Sequence, residues 1–215
     1  MKNILCFGDS NTWGFIPGSF DLATLASQRY DANTRWTGIL ANLLGKEFKI
    51  IEEGLNGRTT VLNDPPRGDF VNGKTYLYPC LMSHKPLDMV VLMLGSNDLK
   101  NYFNIGAGVV ALNVRQLVWM IRSIFNKSQT KILIIAPPVL TLEKSEFYGT
   151  FDQSSVDKSK QLAAEYAMAC QYEDCHFLDA AKLIKCSKKD GVHFEENEHR
   201  ILGEAVAQVI RKIVI

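Results

Sequence analysis

The chain has 215 residues, of which 47% are hydrophobic and 22% are charged, proportions close to those of ordinary globular proteins. This length suits one domain with a large core, and we expect a single domain over residues 1–215. The formal net charge of +1 gives no electrostatic basis for binding nucleic acid or an anionic membrane. The longest apolar runs are too short to span a bilayer, so we expect no membrane partner.

The start of the chain and its cysteines both indicate a cytoplasmic protein. Only three residues precede the first strand-like run, which leaves no room for a signal peptide. The five cysteines form no C-x-x-C pair, and their number is odd. We therefore expect reduced, mostly buried thiols and no disulfide framework.

Short apolar runs rich in β-branched residues alternate along the chain with amphipathic helical patterns. This alternation predicts an α/β domain with a parallel sheet and right-handed crossovers. The predicted strands cover 4–7, 48–51, 89–94, 131–136 and 176–178. The predicted helices cover 36–44, 110–125, 155–171 and 197–213.

Two segments, 16–34 and 60–86, lack a regular hydrophobic pattern and are rich in Pro, Gly, Asn and Asp. A compact domain rarely carries loops of this length without a use. We expect them to form the walls of a substrate pocket or contacts with another subunit.

Polar blocks follow the first four predicted strands, and in a parallel sheet these positions meet at one rim. Ser10 comes directly after the first strand, on a predicted strand-to-helix turn. A serine at such a turn has two interpretations. It is either a helix cap or an exposed hydroxyl that serves as a nucleophile.

Asp190 and His193, three residues apart before the last helix, favour the nucleophile. With this spacing on a turn, a carboxylate can reach Nδ1 of the imidazole while Nε2 faces outward. Taken alone, Asp190 could be a turn former and His193 a residue at a helix N-terminus. Together with Ser10 they supply the nucleophile, the base and the orienting carboxylate of a hydrolase.

Two further blocks can donate hydrogen bonds into the same cleft. Asn97 follows the third strand and offers a side-chain amide, while Gly95 allows a tight turn before it. A glycine amide in the segment 54–60 could be another donor to an oxyanion. Each block alone also fits an ordinary turn.

In this order, the blocks around Ser10, Gly57, Asn97 and His193 resemble those of the SGNH (GDSL-type) hydrolase superfamily, over most of the chain. The resemblance implies a flavodoxin-like three-layer α/β/α sandwich with a five-stranded parallel sheet. It implies that Ser10 is the nucleophile, His193 the base and Asp190 its partner. It also implies an oxyanion hole formed by the N–H groups of Ser10 and Gly57 and by the side-chain amide of Asn97.

Longer stretches resemble the bacterial arylesterases, a subgroup that includes the mycobacterial acyltransferase used for perhydrolysis. They cover 4–14, 35–38, 52–55 and 93–98. The resemblance implies a small-molecule ester substrate of short, acetyl-type chain length, with acyl transfer to alcohols or peroxide in some members. It also implies a homo-oligomer formed through the long loops. Glu52 departs from the family pattern, because the second block often begins with Asn at this position.

The choice of acyl chain and leaving group depends on loop shape, so related activities stay open. A carbohydrate O-acetylesterase, a lysophospholipase and a thioesterase of the same superfamily are alternatives. Trp13, Phe15 and Leu55 are near the predicted site loops in sequence. They could line an apolar acyl pocket or belong to the core.

Three readings of a different class are weaker. The segment 8–12 before a helix could cradle a phosphate, as in an FMN-binding protein, but this gives Asp190 and His193 no role. Cys80 with His84 could form a Cys-His nucleophile pair, but no oxyanion block accompanies it. We expect neither cofactor nor metal, because the four histidines show no i, i+4 pair and no cysteine partner at ligand spacing.

Overall fold

The computed structural model describes residues 1–142, 147 and 149–214, and its framework is a five-stranded parallel sheet. Neighbouring strands are parallel in the order β2-β1-β3-β4-β5, which is the order of the flavodoxin-like sheet. The predicted fold class is therefore confirmed. The strands are β1 (Lys2–Gly8), β2 (Phe48–Gly54), β3 (Met89–Met93), β4 (Lys131–Ala136) and β5 (His176–Asp179).

Six α-helices lie in the described part of the chain, and all four predicted helices are among them within a few residues at each end. They are α1 (Ser10–Trp13), α2 (Trp36–Leu44), α3 (Gly73–His84), α4 (Ala107–Ile124), α5 (Gln153–Glu173) and α6 (Glu196–Val214). Over the same residues, none of these helices is long and apolar enough to cross a membrane.

Both faces of the sheet are covered, which explains why the strands have nearly continuous apolar sequences. Side chains alternate along β1, so that Leu5 and Phe7 pack in one core and Ile4 and Cys6 in the other. The first core contains residues of α3, α4 and α5, and the second contains residues of α2 and α6. The three-layer sandwich follows from these two cores. All five cysteines are free and four are buried, as predicted.

One helix, α3, lies inside the segment 60–86 that the sequence pattern treats as irregular. Gly73 at its start and Pro79 in its interior are poor helix formers and obscure the pattern. Leu77 and Leu81 are nevertheless buried one turn apart on its inner side. The expectation of irregular structure is wrong for this part of the segment.

The register of the central strands determines where polar side chains can meet. Gly8 at the end of β1 pairs with Gly54 at the end of β2 and with Met93 at the end of β3. The three strands therefore end at the same level, and the segments that follow them start side by side.

The core formed by α2 and α6 provides a test of the packing. Leu202 on α6 is fully buried in this core. We expect Leu202→Ala to lower the free energy of unfolding by about 2–5 kcal/mol, because it leaves a cavity that the neighbours fill only in part. Urea unfolding followed by circular dichroism measures this. Leu112→Ala on the exposed side of α4 is the control, and an equal loss in both variants would contradict the assignment of this core.

Candidate active site

The structure joins Ser10 to His193 and Asp190, which lie far from it in sequence, in one buried chain of hydrogen bonds. Nε2 of His193 lies 2.8 Å from Oγ of Ser10, and Nδ1 of His193 lies 2.7 Å from Oδ2 of Asp190. The exposed fraction is 4% for Ser10, 4% for His193 and 0% for Asp190. Because water has little access, the imidazole has these two side chains as its partners. This is the arrangement of a serine, a base and an orienting carboxylate.

The turn that carries Asp190 and His193 is built around the carboxylate. Oδ1 of Asp190 accepts hydrogen bonds from the backbone N–H groups of Val192 at 3.0 Å and His193 at 2.9 Å. Gly191 has φ +76°, and a Cβ atom there would lie 1.4 Å from the carbonyl oxygen of Thr141, so no other residue fits this turn. The side-chain amide of Asn11 donates to the carbonyl of Val192 at 3.2 Å and ties the turn to α1.

The hydrogen-bond partners of Asp190 stabilise the ionised form of its carboxyl group. Burial alone would raise the pKa of its carboxyl, but the hydrogen bond and charge of His193 and the two backbone donors lower this pKa below its ordinary value. The carboxylate therefore stays ionised and acceptor-only, which favours the His193 tautomer that carries its proton on Nδ1.

Ser10 is the first residue of α1, and Asp9 caps this helix. Oδ1 of Asp9 accepts from the N–H of Asn11 at 3.0 Å. The N–H of Ser10 has no hydrogen-bond acceptor in the described part of the chain and is free to donate to a ligand. The same holds for the N–H of Gly57, which has φ +80° and lines the same pocket.

Arg58 fixes the loop that carries Gly57. Its buried guanidinium donates through Nη1 to the carbonyl oxygen of Gly8 at 2.7 Å and to that of Glu53. It also lies over the ring of Phe7, 4.1 Å from the centroid. Burial lowers the pKa of Arg58 to about 10, although nearby Glu53 opposes the change. One cation therefore joins the ends of β1 and β2.

Asn97 is positioned by two buried carboxyl groups. Its Nδ2 lies 3.5 Å from Oδ2 of Asp9. The neighbouring Asp98 accepts from the N–H of Thr60 at 2.9 Å and also from the Thr60 hydroxyl, which ties the turn after β3 to the loop after β2. Burial raises the pKa of Asp9 to about 6 and that of Asp98 to about 7.

These groups open into a pocket of about 260 Å³. Ser10, Gly57, Asn97 and His193 all line it. The ring of Phe15 stacks on that of His193 with centroids 3.9 Å apart and an angle of 14°. The remaining lining residues are Phe20, Leu25, Ser27, Asn56, Pro66, Arg67, Lys100, Tyr102, Phe147, Thr150, Phe151 and Val192.

The predicted pocket residues divide into two groups. Phe15 lies in the lining, whereas Trp13 and Leu55 do not. The guanidinium of Arg29 lies over the ring of Trp13, 5.2 Å from the centroid. The prediction that Trp13 and Leu55 line the pocket is therefore corrected.

Several wall residues were missed because they lie far from the motifs in sequence. Both aperiodic segments contribute, Phe20 from 16–34 and Arg67 from 60–86. Phe147 and Phe151 come from the loop after β4, of which residues 143–146 and 148 lie outside the described residues. The position of this loop after a strand end was the signal available in the sequence.

A second cluster, of possible metal ligands, lies outside the pocket lining. Possible ligand atoms of Glu53, Cys80 and His84 lie within 4.8 Å of one another, and Nε2 of His84 is 2.8 Å from Oε1 of Glu53. The expectation that no histidine has a cysteine at ligand spacing is wrong for this pair, since Cys80 and His84 are one turn apart on α3. Burial, aided by Glu53, raises the pKa of the Cys80 thiol to about 12, which keeps it protonated at neutral pH.

The sequence pattern of the GDSL-like lipase/acylhydrolase family matches residues 6–201. The chain belongs to this family, and its fold and its similarity to esterases of known structure identify it as an SGNH hydrolase that acts on carboxylic esters.

The chain is also similar to individual proteins of known structure. An aryl esterase from M. smegmatis is similar at 36% identity and a TM-score of 0.92, with 100% of each chain covered. A carbohydrate acetylesterase from Sinorhizobium meliloti has 35% identity and a TM-score of 0.91, covering 99% of this chain and 100% of that chain. A lipase/acylhydrolase from Enterococcus faecalis, at 19% identity and a TM-score of 0.68 over 99% and 96% of the two chains, shares the fold. No curated protein matches the chain.

The raised pKa of Asp98 has a consequence for stability. The pKa of an aspartate in an unfolded chain is about 3.9. Burial raises the pKa of Asp98 to about 7 in the folded protein. The native state therefore binds more protons between these values, and this contribution to stability is lost as the pH rises through about 7. We expect Asp98→Asn, which cannot ionise, to lose less stability than the wild type between about pH 4 and pH 8.

Urea unfolding across this pH range measures the two slopes. Asp69→Asn, at an exposed carboxylate, is the matched control and should keep the wild-type slope. A wild-type slope in Asp98→Asn as well would contradict the role of burial at this position.

Proposed function

We propose that the protein is a serine esterase that hydrolyses short-chain, acetyl-type esters through an acyl-enzyme. In this proposal Ser10 is the nucleophile, His193 the general base and Asp190 the group that orients it. The proposal depends on one observation, the unbroken hydrogen-bond chain from Asp190 through His193 to Ser10.

The proposed reaction has two stages that use the same imidazole. Oγ of Ser10 attacks the ester carbonyl while Nε2 of His193 takes the hydroxyl proton, and this proton then passes to the leaving alcohol. Water attacks the acyl-enzyme in the second stage, with His193 again as the base. The buried charge of Asp190 stabilises the imidazolium that forms in both stages.

The negative charge on the carbonyl oxygen needs donors that are already in position. The N–H groups of Ser10 and Gly57, free of acceptors among the described residues, and Nδ2 of Asn97 are the proposed donors. The network of Arg58 and Asp98 supports this assignment, because it holds the loops that carry Gly57 and Asn97.

The size and lining of the pocket support a small ester. A volume of about 260 Å³ is slightly below the range of about 300–1,000 Å³ that is usual for small-molecule sites. The phenylalanine rings on its wall limit access of water to the acyl-enzyme, which favours transfer to an alcohol or to peroxide as a further reaction. Similarity to the carbohydrate acetylesterase supports acetylated sugars as a second class of substrate, with a sugar hydroxyl as the leaving alcohol. The homo-oligomer and the cytoplasmic location stay predictions.

Removing the nucleophile tests the proposal directly. We expect Ser10→Ala to lower kcat for p-nitrophenyl acetate by about 10⁴-fold or more, since only transition-state binding without the nucleophile remains. Ser123→Ala on the exposed side of α4 is the control. Equal rates in wild type and Ser10→Ala would remove Ser10 from the mechanism. In that case flavin absorbance of the purified protein would test the phosphate-binding alternative.

Acyl-chain length tests the substrate class with the wild-type protein. We expect kcat/KM to fall steeply from the p-nitrophenyl acetate to the butyrate and octanoate esters, because the pocket is small. A preference for octanoate would support the lysophospholipase alternative and contradict the short-chain proposal.

The side-chain amide of Asn97 provides a test of the oxyanion hole. We expect Asn97→Ala to lower kcat by about 10²–10³-fold with little change in KM, because the donor acts mainly on the transition state. Asn42→Ala, on the surface of α2, is the control. A rise in KM at unchanged kcat would instead place Asn97 in ground-state binding.

A further inference from the structure

The proposed active-site pocket contains a cation that has no anionic partner. Apart from His193, the charged side chains among the described lining residues are Lys100 and Arg67. No aspartate or glutamate side chain is found in the same described lining. The electrostatic character of the pocket therefore depends on how each cation is balanced.

Lys100 is balanced within the protein. Its buried Nζ donates to Oδ2 of Asp64, and the hydroxyl of Tyr102 donates to Oδ1 of the same carboxylate at 2.8 Å. Asp64 is itself fully buried. The charge of Lys100 is thus cancelled by an adjacent carboxylate and leaves little attraction for a ligand.

Arg67 differs from every other arginine of the chain. In the described part of the structure its guanidinium has no hydrogen bond or ion pair, whereas each of the other arginines donates to a carboxylate or a carbonyl oxygen. Those are Arg29, Arg35, Arg58, Arg115, Arg122, Arg200 and Arg211. The planar fork of donors on Arg67 is therefore available.

Arg67 is held close to the proposed reaction centre. Its backbone N–H and that of Gly68 donate to the carbonyl of Asp64 at 3.0 and 2.6 Å, which closes a tight turn at the pocket wall. Its side chain covers Gly57, since a Cβ atom on Gly57 would lie 2.8 Å from Nε and 3.0 Å from Cζ of Arg67. The free guanidinium and the proposed oxyanion donor Gly57 are thus neighbours in one pocket.

We propose that Arg67 is a specificity residue that binds a carboxylate carried by the ester substrate. The guanidinium of Arg67 is exposed to solvent at the wall of a partly apolar pocket whose described lining has no acidic side chain, and it can pair with a planar anion through two parallel hydrogen bonds. The substrate class is a short ester that bears a carboxylate on its acyl part or on its alcohol part. This inference depends on the proposed esterase function of the same pocket.

Matched pairs of esters test the inference and locate the anion. In the first pair, 4-acetoxybenzoate carries a carboxylate on its leaving group and methyl 4-acetoxybenzoate does not. In the second pair, p-nitrophenyl hemisuccinate carries a carboxylate on its acyl group and its methyl ester does not. Within one pair or the other, we expect Arg67→Gln to lower the ratio of kcat/KM for the anionic ester to kcat/KM for the neutral ester by about tenfold.

Two further variants sharpen the comparison. Arg67→Lys keeps the charge but loses the fork, so we expect a loss between those of wild type and Arg67→Gln. Arg200→Gln, on the exposed side of α6 outside the pocket, is the control and should leave both pairs unchanged. Added salt should reduce the preference of the wild type for the anionic ester and leave that of Arg67→Gln unchanged.

The possible failures can be told apart. If the neutral esters are hydrolysed by the wild type but not by Ser10→Ala, and Arg67→Gln changes both members of each pair equally, the carboxylate subsite is wrong and the esterase proposal stands. If wild type and Ser10→Ala hydrolyse every ester at the same background rate, the esterase proposal itself is wrong.

Discussion

The buried carboxylate of Asp190 is the group on which the geometry of the site depends. It accepts hydrogen bonds from two backbone N–H groups and from one imidazole nitrogen, so a single ion shapes its own turn and aims the ring of His193. A buried charge of this kind is tolerated only when its partners are in place. The C-terminal turn and the proposed nucleophile are therefore held together by one connected set of hydrogen bonds, which includes the bond from Asn11 to the carbonyl of Val192.

Two further buried ionisable side chains hold the strand ends together. Arg58 bridges the carbonyl groups at the ends of β1 and β2, and Asp98 binds Thr60 across the gap between β2 and β3. Loops at the end of a sheet have few ladder hydrogen bonds of their own, so these side chains replace the missing backbone pairing. The proposed oxyanion donors Gly57 and Asn97 are adjacent to Arg58 and Asp98 in sequence, which transmits this rigidity to the pocket.

The sequence predicted the sheet and four of the helices well, because these depend on local periodicity and on spacing along the chain. It failed for α3, where Gly73 and Pro79 disturb the pattern and only tertiary packing determines the helix. The tertiary structure also decides which aromatic residues reach the pocket, as Phe15 does and Trp13 does not. The partners of Asp98 and the free guanidinium of Arg67 depend on segments that meet only in the folded chain.

The aromatic contacts of His193 limit how freely its imidazole can turn. Phe15 covers one face of the imidazole, and the ring of Phe147 meets it at an angle of 70° with centroids 5.7 Å apart. The ring cannot turn out of this position without breaking both contacts, so much of its orientational freedom is lost before any substrate arrives. In the proposed reaction the same imidazole acts twice, and each time it starts from the orientation that folding has set.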